Sequence, residues 1–168
     1  MTPVFREAKA ADDRAIGELL IRAFVEAYAE RMPEVVVGDA RKADLRDVAK
    51  RRKTAKVVVM EVDGFIVGTY TLTVLGDSFT KAWLPDSTEL KQLATSRDFH
   101  GRGYGDLLVE NATEVAKEML AQAICLHVRR GANGVAKMYE KAGYQRCAEE
   151  DLNLPEIYLE AYFLALAH

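Results

Sequence analysis

The sequence predicts an α/β fold, a single domain built on a mixed sheet with helices on both faces, and three observations carry that prediction. An antiparallel hairpin is written early, where Val57–Val62 and Phe65–Leu75 flank Asp63-Gly64, a two-residue turn of type I′ character. A strand, helix, strand crossover follows later: Glu89–Thr95, then the apolar-periodic run Asp106–Leu120, then Ile124–Val128. Between the first two of these lies His100-Gly101-Arg102-Gly103-Tyr104-Gly105, whose three alternating glycines suit a tight strand-to-helix turn. At 168 residues the chain is long enough for one sizeable core and too short for two ordinary domains.

Val4–Glu7 reads as a short first strand. Asp12 is placed to cap a helix whose apolar positions Ile16, Leu19, Leu20, Ala23, Phe24, Ala27 and Tyr28 keep helical spacing. Pro33 and Gly38 break the chain before a second helix over Asp39–Lys53, rich in Arg and Lys but interleaved with Asp39, Asp44 and Asp47. That pattern reads as a solvated helix face, and the sharper alternative is a wall of an acceptor site. Along Phe65–Leu75, Tyr70, Leu72 and Val74 alternate with Thr69, Thr71 and Thr73, so the threonine face is expected to be solvated or to line a groove. The connection Gly76–Ser87 carries Phe79, Trp83 and Pro85, which either cover a site or close the core. In the helix after the glycine loop, Leu108, Ala112, Val115, Ala116, Met119 and Leu120 form one apolar stripe, expected to be core. Asn133–Tyr144 has a helix's start and stop marks, Asn133 as cap and Gly143 as terminator. Ile157–Leu166 reads as the last strand.

Composition excludes several classes. Lys and Arg total 23 against 26 Asp and Glu, for a formal charge of −3, so neither nucleic acid nor an anionic membrane is indicated as a partner. Neither an apolar leader nor a bilayer-length apolar run is present, which predicts a cytoplasmic protein. Cys125 and Cys147 lack metal-ligand spacing and any CxxC, and His100, His127 and His168 form no metal set. His127 alternates with Ile124, Leu126 and Val128 and faces either a cleft or a neighbouring helix.

The glycine loop carries the chemistry. Successive N–H groups of such a turn converge on one concavity, and the helix behind it adds the positive end of its macrodipole, so a pyrophosphate can be held there by main chain. A dinucleotide fingerprint is excluded, because position 106 is Asp and no early βαβ unit surrounds the loop. Three blocks in this order, Thr88–Thr95, His100–Gly105 and Asn133–Tyr144, together resemble the GNAT family of N-acetyltransferases. The first is similar to that family's fourth strand. The second matches its (Gln/Arg)-x-x-Gly-x-(Gly/Ala) coenzyme A motif with His100 at the Gln/Arg position, and the third its Asn-x-x-Ala-x-x-Tyr-x-x-x-Gly-(Phe/Tyr) block. Thr95 replaces the family's usual Val.

The resemblance implies a mostly antiparallel sheet with one parallel strand pair, Glu89–Thr95 and Ile124–Val128, splayed around the pantetheine arm of acetyl-CoA. It implies an acetyl-CoA-dependent N-acetyltransferase, with direct attack of a small-molecule or peptide amine in a ternary complex, no metal, and the homodimer common among such folds. Glu89 is then the general base, Tyr139 the acid beside the sulfur, and backbone amides of Ala94 or Thr95 at a strand bulge meet the thioester carbonyl. The coenzyme contacts implied are Leu93, Ala94, Thr95, His100, Gly101, Arg102, Gly103, Tyr104, Gly105, Asn133, Ala136 and Tyr139. Without the resemblance Glu89 reads as a strand-edge carboxylate and Tyr139 as a packed aromatic. A non-catalytic acyl-CoA-binding or sensing domain is the alternative function, and a plain interaction module is a third; Glu89 with Tyr139 favours the enzyme over the former, and the intact glycines argue against the latter.

Overall fold

A computed structural model of the chain describes residues 2–77 and 80–167. Among the described residues the strands are β1 (Val4–Glu7), β2 (Ala55–Val62), β3 (Phe65–Thr73), β4 (Ser87–Thr95), β5 (Ala123–Arg129), β6 (Gln145–Arg146), β7 (Leu152–Asn153) and β8 (Tyr158–Ala165). They form a sheet in the order β1-β2-β3-β4-β5-β8-β6, with β7 paired to β8. The chain clusters into two compact units, one running to Thr71 and adding Gln92–Leu108, the other Leu72–Lys91 and everything from Val109 on.

In the first unit, β1 (Val4–Glu7) pairs antiparallel with β2 (Ala55–Val62), Val4 opposite Glu61. The hairpin to β3 (Phe65–Thr73) is the one its dipeptide predicts: Asp63 and Gly64 have φ of 53° and 81°, the left-handed pair a type I′ turn requires. α1 (Asp13–Ile21) continues through a wide-turn π segment, Arg22–Glu26, into α2 (Ala27–Arg31), and the N–H of Ala27 donates five residues back to the Arg22 carbonyl. Asp12 does not cap α1 with its side chain; its carboxylate instead accepts from the Arg6 guanidinium at 2.7 and 2.9 Å and from the Lys9 N–H. That guanidinium holds the Asp12 carboxyl below the usual carboxylate range.

The charged segment is two helices, α3 (Asp39–Arg46) and α4 (Val48–Thr54), because Asp47 leaves helical geometry and caps the second through the Lys50 N–H. Its basic residues do structural work: Arg51 donates to the last carbonyls of α3 at Asp44 and Leu45, and Arg52 grips Asp13 at 2.6 and 2.7 Å. Leu45 and Val48 join Ile16, Leu19, Leu20, Val57, Val59 and Ala94 in the core of this unit.

In the second unit, β4 (Ser87–Thr95) runs parallel to β5 (Ala123–Arg129), and β8 (Tyr158–Ala165) pairs antiparallel along β5. Two short strands, β6 (Gln145–Arg146) and β7 (Leu152–Asn153), flank β8 and have no counterpart in the sequence reading. The parallel pairing covers Ser87, Thr88 and Glu89 against Ala123, Ile124 and Cys125 and stops there, although β5 runs four residues further. This is the splay expected of the pair.

α5 (Tyr104–Glu118) buries Leu108, Ala112 and Ala116 as its stripe predicts, half-buries Val115, and also buries Val109, which the stripe omits; Met119, just past its end, is half-buried. Leu120 departs from that prediction: it sits past the helix end at φ 65° and is 71 % exposed, since the chain must reverse there. The threonine face of β3 also departs. Thr69, Thr71 and Thr73 are all buried, tolerated because Thr69 donates to the Val58 carbonyl at 2.8 Å and Thr73 meets the Thr80 hydroxyl at 2.9 Å. α6 spans Asn133–Lys141, so Asn133 is its first residue rather than its cap, and Gly143 ends it at φ 101°. Phe79 and His168 lie outside the described residues.

Candidate functional site

The glycine loop His100–Gly105 belongs to the first unit. The short helical turn Arg97–Phe99 is anchored to the preceding helices by Arg97 on Glu30 and Arg22 on Asp98. His100 follows in extended geometry, and Gly101 and Gly103 then take φ of 81° and 74°. A Cβ at either glycine would meet nothing within 4 Å, so glycine is required there by backbone conformation and not by crowding. Gly105 is different, lying in the first turn of α5. The helical ladder starts with the Leu107 N–H to the Gly103 carbonyl at 3.2 Å, so the N–H groups of Tyr104, Gly105 and Asp106 precede it. The arrangement is a main-chain cradle at the N-terminus of a fifteen-residue helix. Arg102 stacks over Phe99 with its guanidinium 5.0 Å from the ring centroid, and Phe99 stacks on Tyr104 at 6.2 Å. His100 and Arg102 are exposed, and Tyr104 is buried.

Behind the loop, β4 carries a residue in the left-handed region. Gln92 has φ 47°, a conformation that interrupts a strand and marks a bulge, two residues ahead of Ala94. The Gln92 side-chain carbonyl is buried with no hydrogen-bond partner among the described residues. Ala94 is buried, and Leu93 and Thr95 are half-buried.

The second unit holds Glu89 and Tyr139, the two residues that the sequence singles out as base and acid. Glu89 is 4 % exposed, and its backbone N–H donates to the Thr73 hydroxyl at 2.8 Å. Its Oε1 accepts from the Lys81 backbone N–H at 2.9 Å, so the connection after β3 folds a main-chain donor onto the carboxylate. The other oxygen, Oε2, faces His127 Nδ1 at 4.0 Å. Trp83 meets the His127 ring edge to face, centroids 5.5 Å apart. His127 thus faces Glu89 through Nδ1, while its Nε2 meets the Glu150 carbonyl of the short helical turn Ala148–Glu150 at 3.1 Å. The pairing of Glu89 with Cys125, two residues before His127 on the same face of β5, brings this about. Alternation placed His127 on a face; the register that chooses its neighbour is not local information.

Tyr139 is buried on α6, its ring 5.3 Å from that of Tyr144 at a steep angle. Burial pushes the Tyr144 phenol well above its ordinary range, so that hydroxyl stays protonated. Asn133 and Ala136 lie on the preceding turns of α6, exposed and half-buried. Among the described residues no group of His, Cys, Asp and Glu could hold a metal, both cysteines are free, and no helix is long and apolar enough to cross a membrane.

Comparison with known proteins decides the family. The family model for acetyltransferases of the GNAT family matches residues 14–144, most of the chain. The protein belongs to the GNAT acetyltransferase family. A search of curated protein sequences gives no match. Among solved structures, a GNAT acetyltransferase from Staphylococcus aureus superposes with a TM-score of 0.75 at 15% identity, covering 99% of this chain and 100% of that one. A ribosomal-protein-alanine N-acetyltransferase from Brucella melitensis does so with 0.69 at 19% identity, covering 97% and 99%. A GNAT acetyltransferase from Elizabethkingia anophelis with acetyl-CoA bound gives 0.67 at 15% identity, covering 98% of each chain. These GNAT structures share this chain's fold, a mixed and mostly antiparallel sheet with one parallel strand pair.

Proposed function

We propose that residues 1–168 work as one cytoplasmic N-acetyltransferase domain that moves the acetyl group of acetyl-CoA to an amine, on a small molecule or a peptide, by direct attack in a ternary complex. The observation that carries this reading is Glu89, a buried carboxylate with one oxygen held by a main-chain N–H and the other left for proton traffic. The main-chain cradle at Gly101–Gly105 fits a pyrophosphate, since both strained glycines leave open space where a side chain would stand. When bound, acetyl-CoA supplies the activated thioester carbonyl. A primary amine is mostly protonated near neutral pH, so Glu89 removes its proton and makes it a nucleophile. As the new C–N bond forms and the C–S bond breaks, the Tyr139 phenol donates to the departing sulfur and recovers a proton from the new amide nitrogen. Backbone N–H groups of Ala94 or Thr95, beyond the bulge at Gln92, meet the carbonyl oxygen as it gains charge. His100, Arg102, Leu93, Asn133 and Ala136 complete the coenzyme contacts.

Calorimetric titration with acetyl-CoA tests the first half of this reading, with Gly103→Asp as control. Saturable binding lost in that variant is expected, followed by amine-dependent thiol release in a screen of acceptors. Absence of binding in the wild-type protein would overturn the reading. Binding without thiol release from any amine class would favour an acyl-CoA-sensing domain.

A further inference from the structure

Resting on the acetyltransferase reading, we infer that His127 is a positioning and proton-accepting partner of Glu89, forming with it a buried carboxylate–imidazole pair that takes up the acceptor's proton. The two side chains are 6 % and 5 % exposed, sealed in about equally. His127 Nε2 lies 3.1 Å from the Glu150 carbonyl oxygen, which can only accept, so Nε2 carries a hydrogen. That bond fixes the tautomer. In the neutral ring Nδ1 is then a bare lone pair, buried without a hydrogen-bond partner among the described residues, and it faces Glu89 Oε2 at 4.0 Å.

A lone pair and a carboxylate oxygen facing each other in a buried site are both acceptors, and the arrangement is satisfied by one added proton or one bridging water. Among the described residues, the other contacts to the ring are Trp83, which packs on it without charge, and Glu150, which reaches it through its backbone carbonyl, and this leaves the role to Glu89. The Lys81 N–H already occupies Oε1, so the proton that Glu89 removes from the ammonium arrives at Oε2, beside Nδ1. It can pass on to Nδ1, leaving the ring an imidazolium and Glu89 again a carboxylate. No electrons change hands: one N–H bond of the acceptor breaks, one N–H bond of His127 forms, and water removes that proton when product leaves. Glu89 therefore stays an anion while the C–N bond forms and the attacking nitrogen turns positive.

The test combines spectroscopy with kinetics on the full chain. Long-range proton–nitrogen correlation of the imidazoles is expected to show His127 protonated at Nε2, with an Nδ1 resonance that moves in Glu89→Gln. An Nδ1-protonated tautomer, or an Nδ1 resonance indifferent to that substitution, overturns the pairing whether or not the protein transfers acetyl groups. In His127→Phe and His127→Asn, kcat is expected to fall about tenfold or more while the acetyl-CoA Kd holds within about twofold. Combining either with Glu89→Gln should add little further loss, because the pair acts as a unit. Full additivity, or unchanged kcat in both variants, overturns the role. Failure of the wild-type protein to transfer acetyl groups from acetyl-CoA to any amine would instead overturn the underlying reading, and the imidazole spectrum would remain a separate result.

Discussion

The glycine loop of the first unit and the carboxylate of the second are built in opposite ways. In the first, the loop is exposed from His100 to Gly103 and built from main chain, its geometry set by two left-handed glycines and a helix start. In the second, Glu89 is buried and addressed by one backbone amide and one imidazole, the imidazole in turn packed against the Trp83 indole. A site that only holds an anion needs N–H groups, which every residue supplies, and it tolerates variation of the side chains around it. Moving a proton needs a particular side chain kept from water, where each partner alters its energetics.

Substitutions can break that contrast, and the largest effect is expected at Glu89. Glu89→Gln should reduce kcat/KM for the acceptor by roughly 10² to 10⁴, leaving the acetyl-CoA Kd in calorimetry unchanged. A matching loss of coenzyme affinity would mean that the two regions are not separable. Tyr139→Phe should cost about 10²-fold in turnover, again with affinity retained, and steady-state kinetics with direct titration separate the two.

Asp151 sharpens the comparison from within the second unit, being a carboxylate with every oxygen occupied. It takes two bonds from Arg146 at 2.5 and 2.6 Å, one from the Tyr158 hydroxyl and one from the Ala161 N–H. The Arg146 guanidinium, with those further donors, holds its carboxyl below the usual range. The depressed value means that Asp151 contributes stability above the pH at which it titrates in the unfolded chain, near 3.8, and that this is lost as pH falls through its lower folded value. Asp151→Asn is therefore expected to lower stability by about 2 kcal/mol at neutral pH, with the difference from wild type shrinking in acid unfolding below pH about 4. A constant difference at all pH values would show that the carboxylate's charge is immaterial.

Smaller effects belong to backbone strain. Gly103→Ala should weaken acetyl-CoA binding by roughly tenfold at most, through about 1 kcal/mol of left-handed strain, while kcat under saturation stays level. Gln92→Gly should raise stability by about 0.5–1 kcal/mol in denaturant unfolding, by relieving φ 47° and removing a buried unpartnered carbonyl.

What was legible in the sequence follows the range of the forces involved. The hairpin at Asp63-Gly64, the glycine stop at Gly143 and the apolar stripe through Leu108, Ala112 and Ala116 are local patterns, and the structure repeats them. The burial of the β3 threonines was not legible, because Thr88 donates to the Thr73 carbonyl and Glu89 reaches the Thr73 hydroxyl from 15 and 16 residues away. Asp12 shows a different limit: cap propensity alone does not choose among nearby donors, and Arg6, six residues earlier on the first strand, claims the carboxylate together with the Lys9 N–H. In the candidate site, the roles proposed for Glu89, Tyr139 and the glycine loop come from motif blocks. His127 as the partner of Glu89 depends on which residue of β5 stands opposite which residue of β4, and no single segment encodes that register.

The wide turn at Arg22–Glu26 bears on how the chain can change length. An α-helix that gains one residue normally twists everything downstream by about 100°, whereas a π turn absorbs the newcomer as slack and keeps the faces on either side in phase. Deleting one residue between Arg22 and Glu26 should accordingly leave Ile16, Leu19 and Ala27 facing inward as before, while the same deletion in the middle of α5 would rotate half of its stripe into water. The segment is a built-in allowance for insertion and deletion, placed where the helix leading from the first strand can lengthen or shorten without disturbing the core beneath it.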